Sequence, residues 1–413
     1  MDKPPPFHIE QLEWQDEALG SISLPKAPLT LTRSFGSGLA RRASDPSGEF
    51  WAVGDRGPNL KIETLIERYG ADHLAACSAL PGAKVMPRLD VGPQLARLKI
   101  GDGRIELIQT FPLIDQQGRS ISGLPMPGSP HSINEPALTL DGEPIDADGS
   151  GMDTEGLVAL DNGTFILSEE FGPSLACADG SGRILSRHLP QGLDAPGARY
   201  PAHQSLPAIA ARRQLNRGFE AIAVTADQLS LFVSFQSPLA HPDEAAHKSA
   251  RHVRIWRLDL ATMHIEAQFI YPLDPPDTFL RDLAKGSLDK GDLKISELVA
   301  LPDDSLLVLE RASETTKIYR IRPGSADVLP AEHLDLHTRP TVEELSAAGY
   351  LPLPTLHKTL LFSSDHAPEV APDLEGMVML SAHELLLVND SDFGTEGAHT
   401  SFWKLTFAEP LFG

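Results

Sequence analysis

The sequence predicts an all-β fold assembled from copies of one hairpin. Four segments carry a glutamate at the head of a buried-type apolar run: Asp153 to Leu160 around Glu155, Gly218 to Val224 around Glu220, Ile295 to Leu301 around Glu297, and Asp373 to Leu380 around Glu375. Each passes through a turn cluster, such as Asp161-Asn162-Gly163 or Pro302-Asp303-Asp304, into a second apolar run beginning at Phe165, Leu231, Leu306 or Leu385. A unit of this kind cannot bury both faces alone, so its copies must stack as a radial or linear array. Composition agrees: 33 Gly and 35 Pro in 413 residues suit many turns rather than long helices.

The glutamates are spaced by 65, 77 and 78 residues. A more divergent copy precedes them, in which Ser37 holds the place of the glutamate and Phe50-Trp51-Ala52-Val53 leads to Asp55-Arg56-Gly57. The repeats span most of the chain, so residues 1–413 are read as one domain. Closure as a β-propeller is expected to take six blades, with five or seven as the alternatives. The sixth would come from Leu60 to Leu113 or from Leu351 to Phe362. Helical periodicity is confined to short stretches such as Thr341 to Ala348, read as a loop insertion.

A formal charge of −22 argues against nucleic-acid and anionic-membrane partners, which need clustered Lys and Arg, and it suits cation binding or plain solubility. No 18-residue apolar span is present, so no membrane crossing is predicted, and the start, Met1 to Pro6, lacks the apolar core of a signal peptide. That leaves a cytoplasmic protein or a mature exported form. Cys77 and Cys177 are too few for a disulfide scaffold, and whether they pair is left open.

Hairpin geometry brings both strand ends to one rim, because antiparallel neighbours lie about 5 Å apart. The returning strands deliver Glu169-Glu170, Ser234-Phe235-Gln236, Glu310-Arg311 and Asn389-Asp390-Ser391-Asp392 there, and the divergent copy delivers Asp55-Arg56. In a propeller the innermost strands line the channel, so Glu155, Glu220, Glu297 and Glu375 would ring one mouth. Carboxylates in such a ring repel by roughly 1 to 4 kcal/mol per pair. They must protonate, find arginines or bind a cation, and hard oxygen ligands without Cys or His clustering point to Ca²⁺ rather than zinc. The alternative is that each glutamate accepts backbone N–H groups of the neighbouring unit and only fixes the array.

Arg56 and Arg311 close their hairpins beside acidic residues, and Arg217 lies three residues before Glu220. Arginine suits bidentate gripping of phosphate or carboxylate, and it equally suits structural ion pairs. Asp146-x-Asp148-x-Ser150-Gly151 begins like an EF-hand loop but has Leu157 at its twelfth position, and it reads as an acidic turn. Nucleophile-elbow, H-E-x-x-H, P-loop and dinucleotide-binding signatures are absent, which disfavours familiar serine hydrolases, zincins and nucleotide enzymes. His131 and His366 are isolated loop histidines.

Taken together, these motifs resemble the phytase-like family known as "esterase-like activity of phytase", found mainly in bacteria. The resemblance lies in Gly54-Asp55-Arg56-Gly57-Pro58-Asn59, Asp153-Thr154-Glu155-Gly156-Leu157, Leu167-Ser168-Glu169-Glu170-Phe171-Gly172-Pro173, Asn216-Arg217-Gly218-Phe219-Glu220, Gln236-Ser237-Pro238-Leu239, Lys294-Ile295-Ser296-Glu297-Leu298, Leu309-Glu310-Arg311, Leu374-Glu375-Gly376 and Val388-Asn389-Asp390-Ser391-Asp392-Phe393-Gly394. These run in order from about residue 33 to the C-terminus. The resemblance implies a β-propeller, periplasmic or secreted placement, and hydrolysis of phosphate or carboxylic esters of an anionic small molecule. By analogy with metal-holding propellers it implies Ca²⁺ among Glu155, Glu220, Glu297 and Glu375. Asp55, Arg56, Arg217, Glu310 and Arg311 would then contact substrate, and Glu169, Glu170, Asp390 and Asp392 would serve as bases or extra ligands. The alternative is a non-catalytic propeller that binds a ligand or protein partner, with its glutamates structural.

Overall fold

The computed structural model describes residues 4–128 and 134–412, so His131 lies outside the described residues. Strands dominate, arranged among the described residues in five main sheets that each begin as an antiparallel meander, with a small sheet of two-residue strands and a two-stranded sheet beside them. Sheet 1 contains Gly38–Ala40, Glu49–Gly54, Gln94–Gly101 and Arg104–Pro112. Sheet 2 contains Thr154–Ala159, Phe165–Glu169, Ser174–Ala178 and Ile184–Pro190, with Ala202–Leu206 added in parallel at its edge. Sheet 3 contains Phe219–Val224, Ser230–Phe235, His252–Asp259 and Ile265–Pro272, and sheet 4 contains Lys294–Ala300, Leu306–Arg311, Thr316–Ile321 and Lys358–Ser363. Sheet 5 contains Leu374–Ser381, Glu384–Asn389 and Phe402–Phe407.

The four predicted glutamate-led hairpins are the first two strands of sheets 2 to 5, and the divergent copy supplies sheet 1. The first strands touch in succession from sheet 1 to sheet 5, and that of sheet 5 touches that of sheet 1. Among the described residues the two segments expected to supply a sixth repeat do not form one. Gln94–Gly101 and Arg104–Pro112, within Leu60 to Leu113, are the outer strands of sheet 1, and the end of Leu351 to Phe362, from Lys358 onward, belongs to the outer strand of sheet 4. The rest of the first segment forms a helix, Ile62–Tyr69, and part of a small sheet of two-residue strands that includes Leu60–Lys61 and Lys84–Val85.

Sheet 5 is completed from the other end of the chain. Phe7–Leu12 pairs antiparallel with Phe402–Phe407 and so ties the two termini into one sheet. Apolar residues between adjacent sheets form the core; Phe219, Phe235 and Trp256, for example, pack edge-on inside sheet 3 and against sheet 4 residues such as Ile295. The first strands approach too closely for side chains at some points. At Gly156 a Cβ would lie 2.5 Å from the Glu220 carbonyl oxygen of the next sheet, so only glycine fits.

The helix expected near Thr341 is Val342–Ala347, capped by the Thr341 side chain, which accepts the Glu344 N–H. Its Glu343 forms a bidentate pair with buried Arg254 (2.7 and 3.0 Å), anchoring the insertion to sheet 3. Cys77 and Cys177 are free thiols. The EF-hand-like segment is an acidic turn: the Asp148 carboxylate accepts from Ser150 N, Ser122 Oγ and Arg199. No helix among the described residues is long and apolar enough to cross a membrane.

Candidate functional site

A bulge at the start of the first strand in sheets 2 to 5 sets the site. In sheet 2, Glu155 and Gly156 lie between the paired residues Thr154–Glu169 and Leu157–Leu167. In sheet 3 the inserted residue is Glu220, between Phe219–Phe235 and Ala221–Ser234; in sheet 5 it is Glu375, between Leu374–Asn389 and Gly376–Val388. Bulges re-aim a side chain out of the ladder, and all three glutamates line one polar cavity of about 500 Å³.

Sheet 4 departs from this pattern. Its bulge residue is Ser296, between Ile295–Glu310 and Glu297–Leu309, which places Glu297 one position further along. Because strand side chains alternate, one step reverses the facing. Glu297 is fully buried away from the cavity lining, where its carboxylate accepts N–H groups of Leu39 in sheet 1 (3.2 Å), Met377 in sheet 5 (3.5 Å) and its neighbour Leu298 (3.1 Å). Burial holds its carboxyl well above the usual range despite those bonds. The four-glutamate ring is thus three glutamates at the cavity and one pin between sheets.

The cavity lining gathers nine carboxylates and six cations. The tightest acidic group is Asp153, Glu155 and Glu170, with one oxygen of each lying within 4.8 Å of the others. Burial pushes all three carboxyls up: Asp153 to about 6 despite the charge of Arg56, and Glu155 and Glu170 well above the usual range, helped by the charges of Asp153 and Glu220. Glu220 beside them is also raised by burial, and its Oε2 is buried without a hydrogen-bond partner. Ca²⁺ binds oxygen at 2.3–2.6 Å, so oxygens on opposite sides of one ion lie about 5 Å apart, and this trio fits that spread. Asp153, two residues before Glu155, was not singled out as a ligand. The signal was its same-face spacing with Glu155 along an extended strand.

The remaining predicted residues divide sharply. Asp55, Asp390 and Asp392 line the cavity. The Asp55 carboxylate accepts Gly57 N at 3.0 Å, and burial with the charges of Asp390 and Asp153 holds it well above the usual range. Asp390 accepts the Ser34 hydroxyl at 2.7 Å and is pushed to about 7 by burial and by Asp392. Asp392 is exposed at the rim.

Glu169 does not reach the cavity. Its buried carboxylate accepts from Arg187 (2.5 Å), Ser174 (2.8 Å) and the backbone N–H groups of Asp153, Phe171 and Gly172. Glu310 also belongs elsewhere, since it accepts from Tyr271 (2.6 Å), Lys358 (2.5 Å) and Asp274 N (2.6 Å) on the outer side of sheet 4. His366 lines the outer cleft beside that network.

Arg56 and Arg311 line the cavity but are already paired. Arg56 bonds Glu135 (2.5 Å), Asn216 (2.9 Å) and Asp153 (3.2 Å) and lies over the Phe171 ring. Arg311 bonds Ser296 (2.8 Å) and, in sheet 5, Asp373 and Glu375. Arg217 and the unforeseen Lys294, by contrast, form no hydrogen bond or ion pair through their side chains among the described residues, and Arg217 Nη1 is buried without a partner. The charge of Arg311, then burial and the charge of Arg217, lower the Lys294 amine to about 7. Lys61 and Lys84 add two further cations from the small sheet at the rim.

Comparison with known proteins adds a family and a relative. A family model described as "Phytase-like: Esterase-like activity of phytase" matches residues 34–393. A protein of Arthroderma benhamiae, described as an uncharacterized secreted protein, is 25% identical over 343 residues, covering 69% of this chain; the match spans only 62% of that relative's length. Among solved structures, a luciferin-regenerating enzyme is 11% identical, with 96% of this chain and 95% of that one covered at a TM-score of 0.36. The PQQ-bound aldose sugar dehydrogenase of Streptomyces coelicolor is 9% identical, with 97% and 99% covered at 0.35. Likenesses this low carry no argument about chemistry.

Proposed function

The chain belongs to the phytase-like family described as esterase-like activity of phytase, and from that premise we propose a divalent-cation-dependent hydrolase of phosphate or carboxylic esters. In this reading the five sheets are the blades of a five-bladed propeller, and the charged cavity opens at one mouth of its channel. The observation that carries the proposal is the trio Asp153, Glu155 and Glu170, with oxygens within 4.8 Å of one another; Glu155 and Glu170 line the 500 Å³ cavity and Asp153 is buried behind them. Arg56 offsets part of the charge at Asp153, whereas Glu155 and Glu170 have no ion-pair partner among the described residues, and a cation would remove the remaining repulsion.

Asp153, Glu155 and Glu170 would hold the ion, with Ca²⁺ the best match to an all-oxygen set. When bound, it would polarise an ester oxygen and acidify a water. The chain's own groups then have distinct tasks. Glu220, buried beside the trio with Oε2 free and its carboxyl raised, suits the role of general base, and Asp390 at about 7 suits proton exchange at the rim. Arg56 and Arg311 hold their neighbouring carboxylates in place. The secreted relative supports an exported placement.

The non-catalytic alternative gains weight at one position only, Glu297, whose bonds to two neighbouring sheets are structural. A screen of chelator-treated protein over phosphomonoesters, phytate, lactones and short acyl esters, with and without Ca²⁺, tests the proposal. Ca²⁺-restored turnover of one ester class is the expected result, and no turnover under either condition favours the binding propeller.

A further inference from the structure

The cavity contains two kinds of cation. Arg56 and Arg311 each have carboxylate partners, so their charge is neutralised locally. Arg217 and Lys294 have no such partner within ion-pair distance among the described residues, although both line the same cavity. Glu170 and Glu220 act on Arg217, and Asp373 and Glu220 on Lys294, only from beyond ion-pair contact, and the two cations repel each other in a partly desolvated wall, an arrangement that an incoming anion in direct contact stabilises.

Their placement is fixed by backbone bonds. Gln236 N donates to Gly218 O (3.0 Å), and Ile295 N donates to Gln236 O (2.8 Å), so the residues before Gly218 and Ile295, and Gln236 between them, stand on three neighbouring segments. Gln236 is buried, and its Oε1 has no partner, so it offers an acceptor rather than a donor. The wall therefore combines two cations with one buried acceptor. A carboxylate satisfies the cations alone. A phosphate monoester, whose second pKa is about 6, presents both anionic oxygens and, in its monoanion, an O–H that Gln236 can accept.

We propose that Arg217, Lys294 and Gln236 form a subsite for the phosphate group of the substrate, with the cations on its anionic oxygens and Gln236 Oε1 on its hydroxyl. The proposal rests on the hydrolase reading for the identity of the ligand as substrate, but its geometry does not involve the carboxylate trio. It selects phosphate esters over carboxylic esters and assigns anion recognition to this pair in place of Arg56 and Arg311.

Calorimetric titration of inorganic phosphate into chelator-treated full-length protein tests the subsite without any hydrolysis. Wild type should bind phosphate, Lys294→Gln and Arg217→Gln should each weaken binding by about tenfold or more, and Lys294→Arg should retain it. Gln236→Leu should narrow the preference for phosphate over acetate. Melting curves of each variant confirm that the fold is kept. Phosphate binding without ester turnover would support the subsite while removing the hydrolase reading. Absence of phosphate binding by wild type, unchanged affinity in both charge-removing variants, or acetate binding as tightly as phosphate would overturn the subsite.

Discussion

Glu297 stands one residue nearer the turn of its hairpin than Glu220 does in its own. From the paired residues Val224–Leu231, Glu220 is four residues back, whereas from Ala300–Leu306, Glu297 is three. That single step turns one carboxylate into the cavity and the other onto backbone N–H groups of two neighbouring sheets. Glu297→Ala should therefore lose roughly 1–3 kcal/mol of stability by leaving buried donors unpaired, while turnover per folded molecule stays unchanged. Glu220→Gln should do the reverse, with turnover falling about 100-fold or more and the melting curve barely moving. Denaturant titration beside kinetics on both variants checks the pair.

Glu169 and Arg187, both fully buried and 2.5 Å apart, form a structural pair. Replacing Arg187 with Leu leaves an unpaired charge in the core, and a loss of about 3–5 kcal/mol is expected, read by urea unfolding. Equal stability with lost activity would return Glu169 to a catalytic role.

The contribution of Asp153 and Asp390 to the stability of the metal-free protein should fall as pH rises from about 4 to about 7. Asp153 and Asp390 titrate near 6 and 7 in the folded protein, against about 3.9 when unfolded. Within that window these two carboxyls bind more protons in the native state than in the unfolded chain, so their contribution falls with each step up in pH, while buried His241 and half-buried His252, lowered to about 4, contribute in the opposite sense. Ca²⁺ should reverse the trend at Asp153 by stabilising the ionised form. Melting temperatures of wild type and Asp390→Asn across this range, with chelator and with Ca²⁺, decide it; a wild-type curve that rises with pH relative to Asp390→Asn in chelator would contradict the assignment.

Gly156→Ala should unfold or strongly destabilise the protein. The new methyl would lie 2.5 Å from both Glu220 O and Ser168 Oγ, and the carbonyl oxygen belongs to the backbone of the next sheet. Soluble yield and circular dichroism of this variant test how tightly the first strands meet.

The hairpins were legible because their apolar runs and turn clusters are local signals, and so were the acidic cavity and the capped helix at Thr341. The number of sheets was not. Outer strands such as Arg104–Pro112 carry exposed residues and no repeated glutamate, so they resembled material for a separate unit. The pairing of Phe7–Leu12 with Phe402–Phe407 joins the chain's two ends, and no local pattern announces such a contact. Site residues were misassigned where the partner decides the role: Glu169 meets Arg187, Glu310 meets Lys358, and Arg311 meets Glu375. Lys294 gave no signal of its own, since its place in the proposed subsite rests on having no carboxylate within ion-pair distance among the described residues.

The central claim, that Asp153, Glu155 and Glu170 hold a divalent cation, is tested most directly by calorimetric titration of Ca²⁺ into chelator-treated protein. The wild type should bind one ion per chain in this cavity, and Glu155→Gln should weaken that binding by about tenfold or more, with Glu297→Gln, away from the cavity, close to wild type. Absence of Ca²⁺ binding by the folded wild type, or equal affinity in Glu155→Gln, would contradict it.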